Sequence, residues 1–399
     1  MYCRKVKVKT GHVWECVEDG PRNTATGRRR QIKRRGKTKI EAKQRVENLI
    51  KSLEEDGIDH RMTSNMAFEK VANTWLEVYA ATGVKRGSVR IREKEVNLLN
   101  YYLAQAPISE ITHYMYQNLL IDLDKRDYAR STISGVNTCA NMIFKYAKRN
   151  KLIKENPRED AIVPKKKISI KELEENSIED SYFENDELDR FLNAVLTIGL
   201  NLDKEWFFTL AFSGMRPGEL IALKKSDLNF KNNTIRISKT LYNENNNMKD
   251  YTLDTTKTNR SRIIDMDDHI MKMLKSLIKA NDMHKMKYRT LLEDFHDENF
   301  VFQRENGYPF TVKNISSRMK RLLKFAKISK RLTPHSFRHT HISMLTEAGA
   351  ELPTIMLRVG HIDPNTTLKV YTHVTEKMKV TSMENVTSHH SNILKKLSF

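Results

Sequence analysis

The feature that most restricts the fold is a change of periodicity along the chain. Between Ser64 and Asn150 the apolar residues recur at helical spacing, in stripes such as Phe68, Val71, Ala72, Trp75, Leu76 and Tyr79. A helix-period pattern cannot sit as a strand, so this stretch must fold as a helical body. Gly83 stops the first helix. Further patterns run over Ser88 to Gln105, Thr112 to Asp124 and Ala129 to Asn150, the last with Ile133, Val136, Ala140, Ile143, Phe144 and Ala147 inward. Four helices at this spacing predict a compact bundle. Asn156-Pro157 ends it, and Pro164-Lys-Lys-Lys167 opens a polar connector through Lys171-Glu-Leu-Glu-Glu175 to Asp180.

The segments on either side read differently. Residues 1 to 60 carry 16 Lys+Arg against 9 Asp+Glu, with 11 of those cations between Arg22 and Arg45. Alternating stretches such as Lys5-Val-Lys-Val-Lys9 predict short strands, and Thr38 with Glu41 predicts a capping box. The following helix would run to about Glu55 and lay Ile40, Val46, Leu49, Ile50 and Leu53 on the sheet. A solvated basic tail is the alternative. After the connector a third region begins with a helix from Asn185 to Leu196 and continues to the end. The expected architecture is multidomain and mainly α with small β-sheets: a sheet-plus-helix domain at 1–60, a four-helix domain at 64–160, a linker at 161–180 and a mixed α+β domain at 181–399.

Charge narrows the partners. The 399-residue chain has a net charge of +20, which favours a polyanion, either nucleic acid or an anionic membrane surface. No stretch approaches a membrane span and the first residues lack a signal peptide's apolar core, so the protein is expected to stay in the cytoplasm. Cys3, Cys16 and Cys139 are few and odd in number, which predicts reduced, structural cysteines with neither a disulfide framework nor a zinc site. The cations placed for phosphate contact are Arg28, Arg29, Arg30, Lys33, Arg34, Arg35 and Lys37 in the first domain. In the helical domain they are Lys85, Arg86 and Arg90, followed by Arg92, at a helix start where backbone N–H groups also favour phosphate.

Six residues of the last region share one chemistry. Arg216 lies at the turn Ser213-Gly-Met-Arg-Pro-Gly-Glu-Leu220, where a guanidinium can bridge two phosphate oxygens and Glu219, one helical turn on, can hold it. Lys257 sits in Thr256-Lys-Thr-Asn-Arg-Ser-Arg262, expected as the end of a hairpin, from which a lysine can donate a proton; Lys249, Arg260 and Arg262 compete with it. His335 and Arg338, in Thr333-Pro-His-Ser-Phe-Arg-His339, open a helix on one face. His335 and His339 are also four apart, which leaves a metal site as an alternative, although no carboxylate follows at a suitable spacing. His361 stands ten residues before Tyr371, which a short helix begun at Asp363-Pro-Asn-Thr would carry. A tyrosine can attack phosphorus while the cations surround its oxygens.

These pieces, G-M-R-P-G-E-L, K-T-N-R-S-R, L-T-P-H-S-F-R-H-T and G-H-I-D-P-N-T-T-L-K-V-Y-T-H, come in the order and spacing of one family. The chain resembles the tyrosine recombinase (phage integrase) family along essentially its whole length. The resemblance implies that Tyr371 attacks a scissile phosphate to give a 3′-phosphotyrosyl bond and a 5′-hydroxyl. Arg216 and Arg338 would neutralise the phosphorane, His361 would add a hydrogen bond, His335 would assist deprotonation of the tyrosine and Lys257 would protonate the leaving oxygen. It implies no cofactor and no metal. The implied partners are double-stranded DNA at core and arm attachment sites and a homotetramer on that DNA, with an excisionase and a host DNA-bending protein as candidates. The implied setting is the nucleoid of a bacterial host, where the enzyme integrates and excises a phage or conjugative element. A non-enzymatic DNA-binding regulator and a nicking-resealing topoisomerase are the other classes. The apolar residues of the tail, Met378, Val380, Met383, Val386, Ile393, Leu394 and Leu397, would dock on a neighbour or on their own domain.

Overall fold

The computed structural model describes residues 1–8, 11–21, 30–56, 66–165, 178–245 and 247–394. It divides into two compact units, Met1–Lys167 and Ile168–Phe399. Helix predominates in both, with three small sheets among the described residues. No helix among them is long and apolar enough to cross a membrane.

In the first unit β1 (Tyr2–Val8), β2 (Gly11–Gly20) and β3 (Arg30–Gly36) pair antiparallel in that order. Alternation along each strand sends Cys16 and Ile32 to one face, where α1 (Lys39–Asp56) covers them with Ala42, Val46 and Leu49. The helix is capped much as its sequence suggests. Thr38 Oγ1 accepts from the Glu41 amide at 3.1 Å, while the Glu41 carboxylate reaches back one residue further than expected, to the Lys37 amide at 2.7 Å. Two expectations fail. Ile40 is 77% exposed because, in the first turn, it falls on the face opposite Ala42 and Val46. The cysteines are not all reduced: Cys3 and Cys16 stand directly opposite each other in the β1–β2 register and form a disulfide, a pairing that the 13-residue separation hides until the hairpin brings them face to face. Cys139 is free and buried. The side chain of Leu53 lies outside the described residues.

The helical body follows, with α2 (Phe68–Ala81), α3 (Arg86–Leu103), α4 (His113–Lys125) and α5 (Arg130–Arg149). Each stripe meets the others in one core, in which Phe144 packs against Phe68 and edge-on against Tyr116. Large buried side chains of this kind contribute about 1.5–3 kcal/mol each. Gly83, at φ +77°, takes the left-handed conformation that ends α2. α3 begins at Arg86, two residues before the expected start, so the supposed loop from Lys85 to Arg90 is mostly helix.

The second unit runs α6 (Asn185–Ile198), α7 (Asp203–Ser213), α8 (Pro217–Ile221), β4 (Leu228–Asn229), β5 (Thr234–Ile237), β6 (Lys239–Asn243), β7 (Tyr251–Thr255), β8 (Arg262–Asp265), α9 (Asp268–Tyr288), α10 (Val312–Phe325), α11 (Ser336–Glu347), α12 (Leu352–Val359) and α13 (Pro364–Leu394). Its main core centres on Trp206, Phe207, Phe191, Phe183 and Phe337, with α7 the helix that most others touch. The buried Asp203 at the start of α7 is held by Arg318 and Arg321, each at 3.0 Å. A smaller cluster of Tyr182, Ile342, Ile355, Val359, Val370 and Val374 seats α13 on α11 and α12. The segment carrying Lys257 is not a hairpin end. β7 pairs with β6 and β8 with β5, so the turn between them joins two separate sheets. Nor is the last helix short: Asp363 Oδ1 caps the Asn365 amide at 3.0 Å, and with neither Gly nor Pro from Asn365 onward the helix extends for 31 residues. Val374 packs on its own domain, and Met378 and Val380 are exposed. The remaining tail side chains named above lie outside the described residues.

Candidate active site

Four segments meet where α7 ends. Gly214 caps α7 at φ +62°, and a Cβ there would lie 2.6 Å from the ring of His341, so only glycine fits both the backbone and the space. The chain then turns into α8, with Arg216 at the N-cap and Pro217 at the first helical position. Glu219, three residues on and 1% exposed, accepts the Arg216 amide at 3.0 Å and its Nη1 at 2.9 Å. The same carboxylate accepts from Nη2 and Nη1 of Arg262 at 2.7 and 3.3 Å. Burial pushes the Glu219 pKa up, but the bonds and charges of Arg262 and Arg216 outweigh it and hold the carboxyl below its ordinary value.

Arg338, in the first turn of α11, is wholly buried. Its Nη1 donates to the Gly214 carbonyl at 2.9 Å, its Nη2 to the Val359 carbonyl, and its Nε to His361 Nε2 at 3.0 Å. All three acceptors are neutral. Burial, and then the neighbouring Arg216 charge, lower the Arg338 pKa, so an anion arriving here would be strongly favoured. His361 follows Gly360, the left-handed cap of α12, and its Nδ1 lies 2.7 Å from Thr367 Oγ1. Because Nε2 accepts from Arg338, we assign the ring proton to Nδ1, donating to Thr367. Burial, then Arg338 and Arg216, hold the His361 pKa at about 3, so the ring is neutral. Both its nitrogens are engaged, and in this state it supports Arg338 rather than offering a donor of its own.

His335 reaches solvent at the N-cap of α11, edge-on to His339 at 5.4 Å. Desolvation, then His339 and the charges of Arg338, Arg216 and Lys257, hold its pKa at about 4. A neutral imidazole at this place can accept a proton. Lys257 is exposed in a turn tied by its own hydrogen bonds, Thr256 Oγ1 to the Arg260 carbonyl at 2.7 Å and Thr255 Oγ1 to Asn259 Oδ1 at 2.7 Å. Its charge is the least of those that lower the His335 pKa. Tyr371, on α13, packs half-buried against the cluster that contains Ile342 and Val359. Among the described residues its hydroxyl makes no hydrogen bond to the five polar groups. The structure thus gathers Arg216, His335, Arg338 and His361, with Glu219 behind them, leaves Lys257 exposed on a turn from which its charge reaches His335, and sets Tyr371 on the helix packed beside them.

Two polar residues, His341 and Arg358, escape the sequence reading, and a third, Arg262, enters it only as a competitor of Lys257. Arg262 bridges Glu219 to the Arg358 carbonyl at 3.0 Å, a supporting place rather than the proton-donating one for which the sequence offered it. His341 lies between the Ala211 carbonyl and Arg358 Nε, each at 3.0 Å, and burial lowers its pKa to about 4. Arg358 also bonds the Asp265 carbonyl at 2.9 Å. The last two carry no sequence signal. Among the described residues no cluster of three or more His, Cys, Asp or Glu gathers as metal ligands.

Among the outlying cations, Lys33 and Lys37 are exposed. Arg35 pairs with the buried Glu15 at 2.9 Å, as Arg4 does from the opposite strand. Arg34 is half-buried and bonds the Lys33 carbonyl at 2.9 Å. Arg28, Arg29 and the side chain of Arg30 lie outside the described residues. Arg86 is exposed, while Lys85 and Arg90 are half-buried. Arg92 is half-buried, pairs with Glu95 and bonds the Gly135 carbonyl at 3.4 Å.

Residues 181–378 match the model of the phage integrase family. The prophage ps2 probable integrase of Lactococcus lactis subsp. lactis (strain IL1403) is 31% identical over 333 residues, 82% of this chain and 84% of that protein. The integrase of Staphylococcus phage L54a is 41% identical over 169 residues, 42% of this chain and 47% of its own length. The fold resembles that of the Tn1549 transposon integrase in complex with a circular intermediate DNA, with TM-score 0.62 and 22% identity over 80% of this chain and 99% of that one. It also resembles a lambda integrase dimer bound to a COC′ core site, with TM-score 0.57 and 14% identity over 92% and 94% of the two chains.

Proposed function

Because the chain belongs to the phage integrase family, we propose that it is a site-specific tyrosine recombinase that integrates and excises a mobile DNA element of a bacterial host. Tyr371 Oη attacks a scissile phosphate, the 3′-phosphotyrosyl bond forms as the P–O bond to the 5′ sugar oxygen breaks, and a 5′-hydroxyl leaves. His335, neutral and at the edge of the site, takes the tyrosine proton, and Lys257 gives a proton to the departing oxygen. Reversal by a 5′-hydroxyl of the partner strand reseals the DNA, with the bond energy kept in the phosphotyrosine. No metal and no cofactor enters these steps.

The observation that carries this reading is the excess of buried positive charge. Arg216 and Arg262 share one carboxylate, and Arg338 meets only neutral acceptors, so three guanidiniums face a single anion. A phosphorane with two negative oxygens supplies the missing charge and replaces long-range repulsion with short hydrogen bonds. His361 then acts through Arg338, and donates to phosphate only once that bond opens and Nε2 takes up a proton.

Residues 1–60 serve as the arm-site domain and 64–160 as the core-site domain, with 161–180 the linker and 181–399 the catalytic part. Separate apolar cores under the β1–β3 sheet and within α2–α5 support the first division. Lys33, Arg35, Lys37 and Arg86 are exposed and serve as phosphate contacts, Arg35 while paired with Glu15. The working form is a homotetramer on core and arm sites, with an excisionase and a host DNA-bending protein setting direction. Tyr371→Phe on a nicked suicide substrate tests the reading: DNA binding persists and covalent complex disappears. A covalent complex that survives the substitution would refute the nucleophile assignment.

A further inference from the structure

Arg262 opens β8 five residues after Lys257, and its side chain is 11% exposed. Besides its two bonds to Glu219, its Nε donates to the carbonyl of Arg358 at 3.0 Å. Arg358 returns the contact by donating to the carbonyl of Asp265, at the other end of the same strand, at 2.9 Å. Strand β8 and helix α12 are therefore stitched in both directions. Gly360, at φ +72°, lies flat on Arg262, since a Cβ there would come within 3.1 Å of its Cδ and Nη1. On one side of that glycine is the Val359 carbonyl that Arg338 uses, and on the other is His361. One side chain thus touches the carboxylate that orients Arg216 and the backbone that carries His361, while its own strand carries the Lys257 turn.

We propose that Arg262 is a positioning residue for strand cleavage: it fixes Glu219 so that Arg216 faces the phosphate, and it locks the Lys257 turn to the Arg338–His361 edge. This rests on the recombinase reading above. Arg262 itself need not touch DNA. Sharing is what matters, because a carboxylate divided between two guanidiniums cannot neutralise either. With a neutral residue at position 262 the Glu219 charge would fall wholly on Arg216, whose pull on the phosphate would weaken, and the lysine turn would lose its tie to α12.

The test compares R262Q, R262K, E219Q and the R262Q/E219Q double variant of the full chain. It reads affinity for a core-site duplex, single-turnover covalent complex at saturating DNA, thermal unfolding, and exchange of the Arg216 amide by NMR without DNA. R262Q should slow cleavage at least about 10-fold with affinity held within about 3-fold, as expected when a supporting shell loosens but the binding surface stays. R262K should recover part of the rate, since it keeps the charge and loses the fork. The double variant should lose less than the product of the two single losses, because the substitutions share the carboxylate and only R262Q also cuts the tie to α12. The Arg216 amide, bonded to Glu219 at 3.0 Å, should exchange faster in R262Q. Wild-type cleavage by R262Q, multiplicative losses in the double variant, or an unfolding midpoint that falls in step with the rate and is not restored by R262K would each overturn the proposal. So would an unchanged Arg216 amide, whatever the cleavage result. A wild-type protein that forms no covalent complex would overturn the recombinase reading instead.

Discussion

Replacing Arg338 with glutamine should separate catalysis from stability. The guanidinium is buried and donates to three neutral acceptors on three segments. Glutamine can keep at most two donors and loses the charge. Removing one preorganised donor to a developing oxyanion costs about 10²–10³ in rate, or about 2.7–4 kcal/mol, so the loss of a donor together with the cation should cost at least about 10³-fold. Stability should respond far less. Three bonds from a charged donor, worth about 1.5–3 kcal/mol each, are broken or weakened, while the penalty of several kcal/mol for burying an unbalanced cation is relieved, leaving a net loss of no more than about 2 kcal/mol. Single-turnover trapping on a nicked substrate, run beside urea unfolding, measures both. Cleavage within about 10-fold of wild type, equivalent to about 1.4 kcal/mol, would refute the assignment of Arg338 to the transition state. A fall in stability of several kcal/mol would refute the claim that its charge is a burden on the DNA-free fold.

Gly214→Ala should destabilise by about 1–3 kcal/mol or more, from left-handed strain and contact with the His341 ring, and should also cut cleavage by moving the carbonyl that holds Arg338; equal urea midpoints would contradict the geometry. His341 titrates at about 4 in the fold against an ordinary 6.5, so the unfolded chain binds its proton first as pH falls. Its contribution is complete above pH 6.5 and is lost between 6.5 and about 4, at about 1.4 kcal/mol per pH unit and about 3 kcal/mol in all. Urea midpoints of His341→Gln against wild type at pH 7, 6 and 5 should show the variant's slope shallower by one proton, and parallel slopes would exclude the assignment. Lys33→Ala should lower the salt dependence of arm-site binding by about one counterion, and an unchanged slope would remove Lys33 from the interface.

The helical stripes, the capping residues and the order of the six polar residues were legible because each depends on neighbours within a few positions. Trp75 and Phe144 declare a buried face by spacing alone, and Pro217 marks a helix start wherever it occurs. What sequence could not give is pairing between distant segments. Residues 251–265 look like two strands and a turn, yet nothing local says that each strand prefers an earlier partner, β6 or β5, to the other. The Cys3–Cys16 bridge likewise depends on register. His361 was readable as a member of the constellation, but its commitment to Arg338 needed coordinates. Arg358 and His341, 17 residues apart and joined to Asp265 and Ala211, are invisible to any local rule.

The reach of Arg338 bears on how the protein is made. Its side chain ties Gly214, 124 residues earlier, to Val359 and His361, 21 and 23 residues later, and Thr340 beside it receives the Phe183 amide from 157 residues away. Contacts so distant in sequence form late in folding, after local helices have already appeared. A nascent chain that has not yet left the ribosome beyond His361, or a fragment cut in the β-rich region, holds some of the polar groups but lacks the scaffold that brings them together. The groups that would handle a phosphate are therefore assembled only by the completed fold, and a chain ending before Val359 lacks two of the three acceptors that hold Arg338.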